Sequence, residues 1–236
     1  MPKKLKNKIL VNLSNYECIP TDTEYNKIYN RIKKIIIPNK MKSSKLPACK
    51  IFTGPPGSGK SRLADVNKIN IDIDKITDLL FESQALENMG VKHGNVIDSC
   101  GDVASRISDD LINVCVRKQY SFSMHTLYGL QLEFLYFLRE HSYRINAYYV
   151  YAYNAYNNNV KRKNLNLSKK VYSGIIKDMY DIQSLFATYS VSDTFEFIHI
   201  KKHEPKFEYT KTRAKDWNST KFTIIQILNK IKHNIK

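Results

Sequence analysis

Residues Gly54 to Ser61 read Gly-Pro-Pro-Gly-Ser-Gly-Lys-Ser. This is the pattern G-x-x-x-x-G-K-[ST] of a phosphate-binding loop. A triphosphate needs a ring of N–H donors with no side-chain bulk between them. Gly54, Gly57 and Gly59 let the backbone curl inward, and Pro55, Pro56 and Ser58 complete the turn. A helix starting directly after the loop would add the positive end of its dipole. Lys60 would reach the β- and γ-phosphates, the Ser61 hydroxyl would sit on Mg²⁺, and Arg62 would close the set. The expected cofactors are ATP or GTP with Mg²⁺. The flanks agree, with a β-prone run at 48–53 before the loop and helix-permissive residues from 61 onward.

The second clue is a pair of carboxylates. Asp72 and Asp74 lie at the end of the run Ile69-Asn70-Ile71-Asp72-Ile73. Read as a strand, this run puts both acids on one face. They would emerge at the carboxyl ends of the strands, where open α/β sheets bind ligands. An acid so soon after the loop suits a small kinase, in which it takes the proton from an attacking hydroxyl. The other reading of Asp74 is a helix N-cap, since Ile76, Leu79, Leu80 and Phe81 begin a helical pattern just after it. The same two readings apply to Asp72. His125 ends a third β-like run, where an imidazole could bond a substrate hydroxyl or be a loop histidine with no role.

The loop followed by Asn-Ile-Asp-Ile-Asp-Lys-Ile resembles the zeta-toxin and polynucleotide-kinase group of P-loop phosphotransferases, over roughly residues 45–200. The resemblance implies a γ-phosphoryl transfer to a hydroxyl of a nucleotide-sugar or of a nucleic-acid 5′ end. It makes Asp74 the base and Asp72 a supporting carboxylate. It implies lid cations over the transferred group: Arg162 first, with Lys169 or Lys170 standing in for a second arginine. It also implies a substrate-orienting step after the third strand, where Thr126 is retained. The chain departs from the group in two places. Thr77 stands where the group has an arginine after the acids, and Met124 or His125 stands where it has an acid. These departures also allow another reading: a nucleotide-binding, RNA-associated protein that has lost transfer chemistry.

Positioning these residues requires alternating strands and helices. Strands are expected at about 48–53, 69–73, 120–124, 144–151 and 194–200. Helices are expected at 24–37, from about 60, at 75–88, 101–117, 127–141 and 170–188, and near 220–235. The segment 154–170 is polar and Asn-rich, and at that length it reads as a lid. Alternation of this kind argues an α/β fold with a parallel sheet flanked by helices, in its P-loop version. The organisation expected is a basic leader at 1–46, a kinase-like core at 47–203 and a basic extension at 204–236.

The net charge of +16 is uneven. Residues 1–50 carry 12 Lys/Arg against 3 Asp/Glu, and residues 201–236 carry 10 against 3. The middle is neutral. Such ends are either solvated or an electrostatic footprint for nucleic acid. The four cysteines are scattered without metal spacing, as in a cytoplasmic protein with reduced thiols. No run reaches the ~18 apolar residues of a membrane span, and the start of the chain lacks an h-region. The alternating Tyr149, Tyr151 and Tyr153 read as sheet packing or as a base-stacking platform.

Overall fold

Ile145, Ala147 and Tyr149 are fully buried, whereas Arg144, Asn146 and Tyr148 between them are not. This period of two is that of a strand, and it marks β4 (Arg144–Tyr151). The computed structural model describes residues 22–63, 68–82, 96–161, 167–202 and 208–235. Around β4 it builds a six-stranded sheet from β1 (Ala48–Thr53), β2 (Ile69–Ile71), β3 (Phe122–His125), β5 (Thr194–Lys202) and β6 (Glu208–Arg213). The order is β2-β3-β1-β4-β5-β6. β1 runs parallel to both β3 and β4, β4 runs parallel to β5, and β6 is an antiparallel edge. The strand carrying the glycine loop therefore lies between two later strands, and its carboxyl end opens at the switch point of the sheet.

By internal contacts the chain forms two compact units. Of the described residues, one comprises 22–41, 71–82 and 96–118; the other comprises 42–63, 68–70, 119–161, 167–202 and 208–235. In the first, α1 (Asp22–Ile36), α2 (Ile73–Glu82) and α3 (Val96–Lys118) bury Tyr25, Ile32, Ile76, Leu80, Ile107 and Leu111. The Tyr25 hydroxyl donates to Asp110, and the Arg106 guanidinium lies 3.9 Å from the centre of its ring. On α3, Val103, Ile107 and Leu111 form a buried stripe. Cys115 continues it with no exposure.

In the second unit the sheet carries α4 (Leu132–Glu140), α5 (Ala155–Val160), α6 (Lys169–Asp178), α7 (Gln183–Val191) and α8 (Trp217–His233). Residues 208–235, part of the stretch read as a basic extension, thus supply an edge strand and a helix to this unit. Tyr189 of α7 meets Phe195 of β5 edge-on, and Trp217 of α8 packs on Tyr189 and Phe186.

Several expected boundaries move. Of the helix expected from residue 60, the described residues show a 3-10 turn, Lys60–Arg62; residues 64–67 lie outside the described residues, and β2 begins at Ile69. The second strand stops at Ile71, because Asp72 caps α2. The expected helix 170–188 is two helices, broken between Asp178 and Gln183. Its partner expected at 127–141 begins only at Leu132, after a turn through Gly129 at φ +101°. β6 has no apolar alternation, and all six of its residues are exposed, so no hydrophobic pattern announced it.

Thr188 of α7 is fully buried and fixes that turn. Its hydroxyl accepts from Leu130 N–H at 2.8 Å and donates to Ser184 C=O at 2.9 Å. Thr188→Val leaves the Leu130 donor buried and unmatched. It is expected to lower stability by about 1–3 kcal/mol, read as a shift in the urea midpoint with unchanged slope.

Candidate functional site

The glycine loop adopts the conformation its sequence asks for. Gly54, Gly57 and Gly59 have φ of +131°, +73° and +94°, a region side-chain-bearing residues rarely adopt. Neighbouring backbone also leaves no room. A Cβ on Gly54 would stand 2.0 Å from the Val150 carbonyl oxygen of β4. One on Gly57 would stand 2.1 Å from that of Ala155 and 2.8 Å from Asn159 N, both on α5.

A carbonyl inside a protein needs a donor. Each carbonyl from Gly54 to Gly57 has one. Lys60 Nζ donates to Gly54 O at 2.6 Å and to Pro55 O at 3.0 Å. Ser58 N–H also donates to Pro55 O. The Tyr172 hydroxyl, from α6, donates to Pro56 O at 3.0 Å. Asn158 Nδ2, from α5, donates to Gly57 O at 3.2 Å. Burial pushes the Tyr172 phenol above its ordinary range, which keeps it protonated and donating. Pro55 and Pro56 have no N–H, so the amide donors of the cradle start at Gly57. The sequence signalled the glycines; the side chains that hold the loop from outside carry no motif.

The residues present fit a phosphate chain. Three of the loop residues are glycines, and Ser58 Oγ is buried with no hydrogen-bond partner among the described residues. They also fit Mg²⁺, which takes one or two protein oxygens and completes its shell with water and phosphate. Ser61 offers such an oxygen at an exposed position. Among the described residues no three His, Cys, Asp or Glu cluster as a metal cage.

The carboxylates are arranged differently from the expected strand pair. Asp72 follows the last residue of β2, and its Oδ1 accepts from Asp74 N–H at 3.1 Å while its C=O accepts from Ile76 N–H. Asp72 is thus the N-cap of α2, and Asp74 stands in the first turn of that helix. The two do not share a strand face. An acid at this helix end is favoured by the dipole, and Asp74 is exposed. Thr77 turns its hydroxyl back onto Ile73 O.

His125 is the last residue of β3, nearly buried, with its ring edge-on to Phe52 of β1 at 5.6 Å. Thr126 N–H donates to Phe52 O, and its hydroxyl donates to Gly129 O, closing the turn before α4. Lys169 and Lys170 stand exposed in the first turn of α6, behind the N-cap Ser168. Cations there oppose the helix dipole, so their position is not one that helix stability selects. Arg162 lies outside the described residues. The segment 154–170, expected as a lid, is helical in α5 and again from Lys169. Ala155 and Asn159 of α5 are fully buried, because α5 packs on Gly57.

No protein-family model and no curated protein matches the sequence. Solved structures do. A chain of the PezAT chromosomal toxin–antitoxin system of Streptococcus pneumoniae aligns with TM-score 0.59 at 14% identity, over 91% of this chain and 97% of its own. The AvrRxo1-ORF1:AvrRxo1-ORF2 complex crystallised with sulphate ions aligns at 0.46 and 12%, over 86% and 69%. A protein of Chloroflexus aurantiacus j-10-fl provisionally called a kinase aligns at 0.42 and 13%, over 78% and 99%. With a glycine loop on the central strand of a mostly parallel sheet, the likeness to the first defines an α/β fold of the P-loop type, a parallel sheet flanked by helices.

Two variants separate the glycines from the outer supports. Gly57→Ala places a methyl on α5 backbone at a strained φ, a strain of roughly 1–3 kcal/mol before any clash. It is expected to abolish MgATP and MgGTP binding in calorimetry. Tyr172→Phe removes only the donor to Pro56 O and is expected to raise the nucleotide Kd by about 3- to 10-fold, the equivalent of roughly 1 kcal/mol.

Proposed function

We propose that the chain is a Mg²⁺-dependent nucleoside-triphosphate phosphotransferase, moving the γ-phosphoryl group of ATP or GTP to a hydroxyl. The observation that carries this reading is the loop at Gly54–Ser61, with its carbonyls met by protein donors, on an α/β fold of the P-loop type. The Gly57 and Gly59 amides and the Lys60 ammonium would bind the β- and γ-phosphates. To do so the Lys60 ammonium would leave the carbonyls of Gly54 and Pro55, exchanging two neutral acceptors for charged ones. Ser61 would hold Mg²⁺, which when bound spreads the charge developing on the phosphate oxygens.

In the transfer an acceptor oxygen bonds to the γ-phosphorus as the bond from that phosphorus to the β,γ-bridging oxygen breaks. The acceptor proton would pass to the Asp74 carboxylate, and Arg162, with Lys169 or Lys170, would stabilise the equatorial oxygens. Asp72 would keep Asp74 placed by capping its helix. Thr126 and His125 would line the acceptor side. The acceptor class is a nucleotide-sugar or a nucleic-acid 5′-hydroxyl.

A second reading rests on the end of β3, where Met124 and His125 stand and no carboxylate does. Under it the chain binds nucleotide and transfers nothing. Incubation with γ-labelled ATP or GTP, a panel of nucleotide-sugars and 5′-hydroxyl oligonucleotides distinguishes the two. Label is expected on one acceptor class, absent with Lys60→Ala, and reduced about 10²- to 10⁴-fold with Asp74→Asn, whose nucleotide affinity stays unchanged. Full transfer by Lys60→Ala would defeat the assignment. Nucleotide binding without transfer to any acceptor would favour the second reading.

A further inference from the structure

Parallel sheets are ordinarily buried on both faces. In the sheet unit one face is fully covered: Cys49, Ile51, Ile145, Ala147 and Tyr149 have no exposure. The opposite face is not. Near the carboxyl ends of the strands it is apolar, where Leu63 packs on Phe52, Val150, Ile198 and Ile200. Toward the amino ends it carries Lys50, Arg144, Tyr148 and Glu196, all half-buried or exposed. Their registers place them side by side: Phe52 opposite Tyr148, Tyr148 opposite Glu196, and Glu196 opposite Arg213. Among the described residues the glycine loop is followed by one 3-10 turn, Lys60–Arg62.

We propose that this face binds single-stranded nucleic acid, with its cations on the phosphates and Tyr209, exposed on β6 in register with Ile200, beside a base. Four cations, Lys50, Arg144, Lys211 and Arg213, share the face with one carboxylate, Glu196, which pairs with Lys211. The Tyr148 ring is held between neighbours, with the Lys211 ammonium 4.9 Å over it and Phe52 stacked on it at 5.1 Å. Burial pushes the Tyr148 phenol up, so the ring stays neutral. β6 extends the face beyond the packed layers, since all its residues reach solvent. Cations beside aromatic rings on an open sheet suit a polyanion with splayed bases; a duplex keeps its bases stacked inside. An acidic protein strand would use the main chain of the β6 edge instead. The inference does not rest on phosphotransfer.

The test is fluorescence anisotropy of the full chain with labelled poly(U) and poly(dT) of about 20 nucleotides, from about 50 to 200 mM salt. The wild type is expected to bind, with log K falling as log salt rises by about 0.7 per phosphate neutralised. Arg144→Glu/Arg213→Glu, two exposed changes, should weaken binding at least about 10-fold and flatten that slope, with the melting temperature held. Lys211→Ala should weaken it about 2- to 5-fold. No binding by the wild type at the lowest salt, or wild-type affinity in both variants, would overturn the proposal. So would equal affinity for poly-glutamate, because the face would then select charge alone.

Discussion

A loop can present amides to an anion only if something else accepts responsibility for its carbonyls. That constraint organises the sheet unit. The carbonyls of Gly54, Pro55, Pro56 and Gly57 each meet a donor. Two of these donors, Asn158 and Tyr172, lie 101 and 116 residues away from the carbonyls they satisfy. The cradle is therefore not a local motif. It exists because β4 lies beside β1, so that the chain leaving β4 passes over the loop as α5 and returns as α6.

The same closeness explains the glycines. Gly54 touches β4 backbone and Gly57 touches α5 backbone at distances no Cβ tolerates. Glycine here serves contact as much as curvature. The short turn at Lys60–Arg62 has the opposite effect. It brings the chain to β2 within a few residues and, among the described residues, leaves part of one sheet face to polar and aromatic side chains. At the amino ends of β1 and β4 burial alternates as in a half-covered sheet, unusual for parallel strands.

The fold class was legible because the strands that build the sheet centre are short, β-branched or aromatic, and separated by helical periods. β1, β4 and β5 fall where their residues indicate. The glycine loop was legible for the same reason, since only one backbone path fits its residues. Asp72 and Asp74 read as a strand pair because Ile-Asp-Ile-Asp alternates like a strand; a cap hydrogen bond ends the strand at Ile71, two residues earlier, and of the two readings of Asp72 the cap holds. β6 was invisible because an edge strand with both faces wet has no hydrophobic pattern. Tyr172 and Asn158 were unreadable in principle: a hydrogen bond to a carbonyl a hundred residues away leaves no spacing to find. Tyr149, by contrast, is fully buried against Phe197, which makes it sheet packing and not a platform.

The central claim is that the loop at Gly54–Ser61 is an anion cradle held open from outside. Isothermal titration of the wild-type chain with each of the four common nucleoside triphosphates, with and without Mg²⁺, tests it most directly. The account predicts saturable, one-site binding of ATP or GTP, on the order of micromolar and tighter with the metal present. An absence of heat with all four at millimolar concentration would contradict it.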